Sequence, residues 1–411
     1  MAAPAPYITA PAGTLHWDGL LAGRGRDVAS DTIRDILALV DEPDVISFAG
    51  GFPDPATFPR PELHRIVGDL VRDRDSSAFQ YAPTQGLESV RGFLADRLER
   101  NERRRPAPDE LTVTSGAIEA LELISLSVLD PGDVVVVEAP TYLGAIMSFR
   151  GMGADVVAVP LDRHGLDVER LATLLRRGLR PKLLYTIPDF HNPAGVTMAD
   201  DRRQPLLALA ARYGFPVIED VAYRELWFEE PPPPSLWSTD PSLVVQIGTF
   251  SKVFFPGVRL GWASGPAPLI ARMVSAKQNT NQCAGALGQR LLERHGRSGG
   301  LDEGIARSRG LYRARRDLLL VALGEELGGT GDWTRPGGGF YSWLTFDDDV
   351  DTTALARSAR ERNVAFVPGE VFYPDGQGRR SLRLAYSLVA DDQIATGVQR
   401  LAEVVAEVTP R

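Results

Sequence analysis

Five short apolar runs, many of them β-branched, constrain the fold of this chain more than any other feature. They are "DVVVVEAP" (133–140), "ADVVAVP" (154–160), "KLLYTIP" (182–188), "FPVIED" (215–220) and "LVVQIG" (243–248). Nearly continuous apolar runs of this length mark strands covered on both faces, as in a parallel sheet. Helix-like stretches such as "VERLATLLRRGL" (168–179) and "RRQPLLALAARYG" (202–214) lie between several of them. That alternation predicts an α/β sheet with helices on both faces, and ligands at the carboxyl ends of its strands. At 411 residues, 44% hydrophobic and 24% charged, the chain can bury a large core and has room for two to three domains.

Beyond about residue 263 the pattern changes. A long helical stretch over roughly 266–325 is followed by "RPGGGFYSWLTF" (335–346), a turn into a strand. Further strands are expected at "VAFVPG" (364–369) and "SLRLAYS" (381–387), and an amphipathic terminal helix at 391–408. These predict a second, smaller α+β domain. The run "EEPPPPSLW" (229–237) reads as an exposed loop of polyproline character. No internal repeat is visible.

Charge and composition exclude several function classes. A net charge of −9 disfavours non-specific nucleic-acid binding. No run of 18 apolar residues suggests a membrane span. The single cysteine, Cys283, cannot close an internal disulfide, so a cytoplasmic location is expected. Five scattered histidines offer no metal-ligand spacing. The opening "MAAPAPYITAPAG" lacks the regions of a signal peptide and reads as an extended arm.

The candidate chemistry sits at strand ends. Only Lys182, Lys252 and Lys277 are lysines, against dozens of arginines, and Lys252 lies in "GTFSKVFFPGVRLGW" (248–262). A desolvated lysine amine can lose its proton and act as a nucleophile, which arginine cannot do. Arg259 beyond the Pro256-Gly257 turn has the planar fork suited to a phosphate, and Thr249 and Ser251 add hydroxyl donors. In "LTVTSGAIEAL" a strand runs through Ser115-Gly116-Ala117 into a helix, whose free N–H groups suit a phosphate. An ordinary strand-to-helix turn reads the same way. "VIEDVAYREL" ends an apolar strand on Glu219 and Asp220, and "IPDFHNPAG" ends another on Asn192-Pro193. Together a lysine, a carboxylate, an arginine and a helix N-terminus match the needs of a pyridoxal phosphate site.

At this point the chain resembles the fold-type-I, pyridoxal-phosphate-dependent aminotransferases of class I/II. It is most similar to the 2-aminoadipate, kynurenine and aromatic branch. The motifs are "DTIRDIL", "DVISFAGGFPDPATFP", "QYAPTQGLESVR", "EAPTYLGAI", "HNPAGVTM", "EDVAYREL", "SKVFFPGVRLGW", "VAFVPG" and "SLRLAYS". The resemblance implies a large, mostly parallel seven-stranded sheet domain and a smaller α+β domain. It divides the chain into an arm (1–15), an N-terminal segment with a substrate-site helix (16–60), a cofactor domain (61–300) and a C-terminal small domain (301–411).

It also implies roles. Lys252 would form the Schiff base with the cofactor and then shuttle the proton from the substrate Cα. Asp220 would pair with the pyridinium nitrogen, Asn192 and Tyr223 with the phenolic oxygen, and Tyr142 would stack on the ring. Gly116, Ala117, Ile118, Thr249, Ser251 and Arg259 would hold the phosphate, with Tyr81 reaching it from the other subunit of a homodimer. Arg383 would clamp the α-carboxylate, with Asn192 beside it. Gly50 and Gly51 would line the substrate entrance, and Arg34 would face the distal end of the substrate.

The implied reaction moves the amino group of an L-amino acid of 2-aminoadipate, aromatic or branched-chain type to a 2-oxo acid, with 2-oxoglutarate expected. Departures from the family pattern are His191 and Ala194 in "HNPAG" and Val221 in "EDVAY". The alternative outcomes on the same machinery are decarboxylation, elimination and racemisation. A regulator in which such a domain follows a DNA-binding one is disfavoured by the roughly 15 residues that precede the family-like region.

Overall fold

The structure is a computed structural model and describes residues 44–73, 76–347 and 349–408. Arg34 and the N-terminal arm lie outside the described residues. The strands, in chain order, are β1 (Ile46–Ser47), β2 (Leu111–Thr114), β3 (Val134–Ala139), β4 (Asp155–Asp162), β5 (Gly165–Leu166), β6 (Leu183–Thr186) and β7 (Val217–Asp220). They continue with β8 (Val244–Thr249), β9 (Gly261–Ser264), β10 (Gly331–Trp333), β11 (Tyr341–Phe346), β12 (Val364–Ala365), β13 (Val367–Pro368) and β14 (Ser381–Ala385).

The main sheet runs β2-β9-β8-β7-β6-β3-β4-β5. All five apolar runs of the sequence are strands of it. Burial explains the composition of four of them: β6 and β7 are buried at every position, and β3 and β8 at five of six, whereas β4 is buried only at Val159. Strands β8, β7, β6, β3 and β4 are parallel in register, with Glu219 beside Gln246 and Val137 beside Tyr185. Strand β9 is antiparallel to both β2 and β8. Two findings differ from the expected sheet. The four-residue β9 was not foreseen, because its Gly261-Trp262-Ala263-Ser264 carries no β-branched run. An eighth strand, β5, extends the expected seven by folding back on the edge of β4 through a tight turn at Gly165, whose φ is +93°.

Helices cover the sheet through amphipathic faces. In Val168–Arg176 the residues Val168, Leu171, Ala172 and Leu175 point inward at helical spacing. The Asp167 side chain caps that helix by accepting from the Arg170 N–H at 2.8 Å, a contact of about 1 kcal/mol. The long helical stretch expected over 266–325 is three helices, Ala267–Thr280, Ala286–Arg297 and Gly300–Glu326. Left-handed backbone at Gln282 and Gly299 makes the breaks.

The second sheet is antiparallel, in the order β10-β11-β14-β13. A parallel pair, Ile46 with Val364 and Ser47 with Ala365, joins the first described strand to the C-terminal part of the chain. This junction brings Ala49 and Gly51 close to β14 and to the ends of the main sheet.

Candidate active site

Because β2, β3, β6, β7 and β8 run parallel, their carboxyl ends share one edge of the main sheet, and the loops leaving them converge there. They carry Gly116, Tyr142, Asn192, Asp220 and Lys252 respectively. These residues, with Arg383 from β14 and Gly51, line a cavity of about 320 Å³.

Lys252 donates from Nζ to the Gly51 carbonyl at 2.8 Å. Its ammonium lies 5.9 Å from the Tyr223 ring centre and 5.7 Å from that of Phe340. Burial in the cavity, with Arg383 and Arg259 nearby, pulls its pKa down to about 8, and Asp220 offsets part of this. A lysine so placed is partly neutral at physiological pH.

Asp220 ends β7 and is buried. Its Oδ2 accepts from the Tyr185 hydroxyl at 2.9 Å, and its Oδ1 from the Ala222 N–H at 3.1 Å. Burial pushes its pKa up to about 6, despite those hydrogen bonds and the charge of Lys252. A buried carboxylate held only by neutral donors is expensive, and a cationic N–H in the cavity would relieve it.

Arg383 is also buried. Its Nη1 donates to Asn192 Oδ1 at 2.9 Å and its Nη2 to the Ala49 carbonyl at 2.6 Å, while its Nε has no partner among the described residues. Tyr341 and Phe372 lie against the guanidinium at 4.5 and 4.9 Å. The Tyr223 and Tyr341 hydroxyls are 2.9 Å apart. Burial raises the phenol of Tyr142 to about 12, with Asp220 and Tyr341 adding to the effect.

A cradle of donors forms the remaining wall. The helix Ala117–Val128 starts after Gly116, and its first N–H groups are free of helical partners. The Arg259 Nη1 donates to Ser251 Oγ at 3.2 Å and its Nη2 to the Ser115 carbonyl at 3.0 Å. Thr249 Oγ1 and Ser251 Oγ are 3.0 Å apart. Gly116 has φ +99°, and a Cβ there would come within 2.9 Å of Arg259 Nη2. Only glycine leaves this space free.

Thirteen of the residues singled out in the sequence line the cavity, Ala117 and Ile118 among them. Gly50 does not. It is buried without lining the cavity, whereas Gly51 and the following Phe52 both line it. At Gly51 a Cβ would sit 1.9 Å from the Tyr341 hydroxyl. Tyr81 is 76% exposed and does not line the cavity of its own subunit. His191 does not line it either. Its Nδ1 accepts from the Ala194 N–H at 3.2 Å, and its Nε2 lies 3.0 Å from Glu138 Oε2. Sequence reasoning missed Tyr341, Phe372 and Tyr185. The first two come from the second sheet region, and no local pattern marks them.

The chain matches the family described as aminotransferase class I and II over residues 43–401. The chain belongs to that family. This aminotransferase is similar to aromatic-amino-acid aminotransferase 1 of Thermococcus litoralis, 36% identical, with 96% of each chain covered. Among solved structures it is similar to kynurenine aminotransferase of Pyrococcus horikoshii, at 36% identity and TM-score 0.92, covering 96% of this chain and 99% of that one. It is also similar to alpha-aminoadipate aminotransferase of Thermus thermophilus complexed with N-(5'-phosphopyridoxyl)-L-leucine, at 35% identity and TM-score 0.89, with the same coverage. The aminotransferase has the fold-type-I architecture, uses pyridoxal phosphate and moves amino groups between amino and oxo acids. Its cavity fits that cofactor: Asp220 lacks a cationic hydrogen-bond partner among the described residues, and the donor cradle of Gly116, Thr249, Ser251 and Arg259 lines the cavity. No described helix is long and apolar enough to cross a membrane.

Proposed function

We propose that the aminotransferase takes a 2-aminoadipate, aromatic or branched-chain L-amino acid as donor and 2-oxoglutarate as acceptor, in two half-reactions at one site. The observation that carries this reading is Arg383. A buried guanidinium with an unpartnered Nε faces the same cavity as a depressed lysine and a buried carboxylate. An α-carboxylate bound to Arg383 gains charge-assisted hydrogen bonds and fixes the substrate relative to Lys252. The names of the relatives support the donor classes. Phe52, Ile187, Tyr341 and Phe372 give the cavity apolar walls suited to a ring or an aliphatic chain.

The residues then divide the work. When bound, pyridoxal phosphate supplies an electron-accepting ring that stabilises negative charge at the substrate Cα. Asp220 would hold a proton on the ring nitrogen, and Asn192 and Tyr223 would bind the phenolic oxygen. The Gly116–Ala117–Ile118 turn, Thr249, Ser251 and Arg259 would hold the phosphate, and Tyr142 would support the ring. Lys252 Nζ would take the proton from the substrate Cα and deliver it to the cofactor carbon C4′, a role that needs its amine neutral in part of the population. Two cations of the cavity are thereby committed, Arg259 to phosphate and Arg383 to α-carboxylate. A distal carboxylate is left to Arg34, which we propose as the selector for acidic donors.

We also propose a homodimer in which Tyr81 of one subunit completes the site of the other. A tyrosine 76% exposed beside the exposed Phe79 suits such a contact. The same reading keeps the four-part division at residues 15, 60 and 300, and a reducing cytoplasm for the free Cys283.

The test is a stopped-flow screen of amino donors against the cofactor-loaded enzyme. Conversion to the pyridoxamine form by an amino acid, reversed by 2-oxoglutarate, is the expected result. Release of ammonia or CO2 without that cycling would replace transfer by another outcome at the same site.

A further inference from the structure

Lys277 is one of only three lysines, and it is fully buried. It lies on the helix Ala267–Thr280, outside the cavity lining, and none of the proposed catalytic steps uses it. An ammonium is among the most expensive groups to bury, and it survives only when its protons and charge are all matched. Here they are. Nζ donates to Glu119 Oε1 at 2.8 Å, to Glu119 Oε2 at 2.7 Å and to Asn281 Oδ1 at 3.1 Å, one acceptor for each N–H.

What this triad touches gives it a task. Glu119 stands in the first turn of the helix Ala117–Val128, and its Oε2 also accepts from the Ser115 N–H. Asn281 donates from Nδ2 to Ser115 Oγ at 3.0 Å. Arg259 holds the Ser115 carbonyl from the other side. Ser115 and the Gly116–Ala117 turn are therefore gripped at the N–H, the hydroxyl and the carbonyl. The grip raises an electrostatic conflict. Glu119 places a carboxylate in the same helical turn that offers its N–H groups and positive dipole end to the phosphate, and like charges so close repel.

We propose that Lys277 is a positioning residue for the cofactor phosphate. It neutralises Glu119, so that this carboxylate can fix the Ser115–Gly116–Ala117 turn without presenting net negative charge to the phosphate. The proposal rests on the reading above that the phosphate sits at this turn.

The experiment compares dissociation constants of the cofactor-free full-length enzyme for pyridoxal phosphate and for pyridoxal, which lacks the phosphate. The variants are K277M, E119Q, the double variant K277M/E119Q and S251A. K277M is expected to weaken pyridoxal phosphate about 10- to 100-fold and to leave pyridoxal within about twofold. In the double variant most of that loss returns, because the unpaired carboxylate is gone. A merely structural pair would weaken both ligands together and would not be rescued. If K277M does not fold, E119Q alone decides: retained or tighter binding of pyridoxal phosphate supports the proposal, and a selective loss overturns it. S251A separates the two failures. If S251A weakens only the phosphate-bearing ligand while K277M weakens neither, the proposal falls and the phosphate placement stands. If S251A also discriminates nothing, both fall.

Discussion

Lys252 and Asp220 respond to burial in opposite directions, and the lysine gives the cofactor-free chain one pH dependence of its own. Lys252 has its ordinary value of 10.5 when unfolded and about 8 when folded. Between those values the unfolded chain holds the extra proton, so raising the pH through that window stabilises the folded state. Denaturant midpoints of the cofactor-free enzyme are expected to rise from about pH 8 upward, and Lys252→Met should flatten that slope. A slope unchanged by the substitution would mean that Lys252 is not desolvated. In the loaded enzyme the same variant should lose the visible absorption of the lysine-bound cofactor. A second prediction concerns selection of the donor. If Arg259 and Arg383 are committed as proposed, Arg34→Ala should lower kcat/KM for 2-aminoadipate by about tenfold or more, the scale of one charge-assisted contact, and change aromatic donors little. Equal losses for both classes would remove Arg34 from that role.

Among the elements, the loops after β6 and β7 must keep register, because one carries Asn192 and the other Asp220 and Tyr223. A buried ion cluster ties them. Asp189 accepts from Arg203 Nη2 and from Arg224 Nη1, each at 2.6 Å. Burial alone would raise its carboxyl, yet Arg224 and Arg203 hold it below the usual range. Asp189→Asn leaves the buried Arg203 without its carboxylate partner and Arg224 with Glu102 alone, and should cost about 3–5 kcal/mol of stability by urea denaturation. A loss under about 1 kcal/mol would show that the loops hold without the cluster. The same elements show what the sequence made legible. Strands β3, β6, β7 and β8 announced themselves because both of their faces are buried, so their composition had little freedom, whereas β4, buried only at Val159, was legible from its β-branched run alone. Lys252 and Asp220 were readable because strand ends are local features. Tyr341 was not, because only tertiary packing brings its hydroxyl to Tyr223, 118 positions away in the chain. Strand β9 was not, because its partners β2 and β8, rather than its own residues, make it a strand.

For the whole molecule, the proposal that a dimer completes the site of each subunit can be tested without a dimer structure. Suppose Lys252 acts in its own subunit and Tyr81 serves the neighbour. A hybrid of one Lys252→Ala subunit and one Tyr81→Ala subunit then holds one site with both defects and one with neither. The intact site pairs the lysine of the second subunit with the tyrosine of the first. Equal amounts of the two variants, unfolded together and refolded, should yield hybrids as half of all dimers. About a quarter of all sites would then be wild-type, as random pairing of a two-fold dimer requires. Lys252→Ala alone should be inactive, and Tyr81→Ala alone should need more cofactor. At a cofactor concentration that leaves Tyr81→Ala largely empty, the mixture should therefore recover activity that neither parent shows. If Tyr81 instead served its own subunit, no hybrid would contain an intact site, and the mixture would only average its parents.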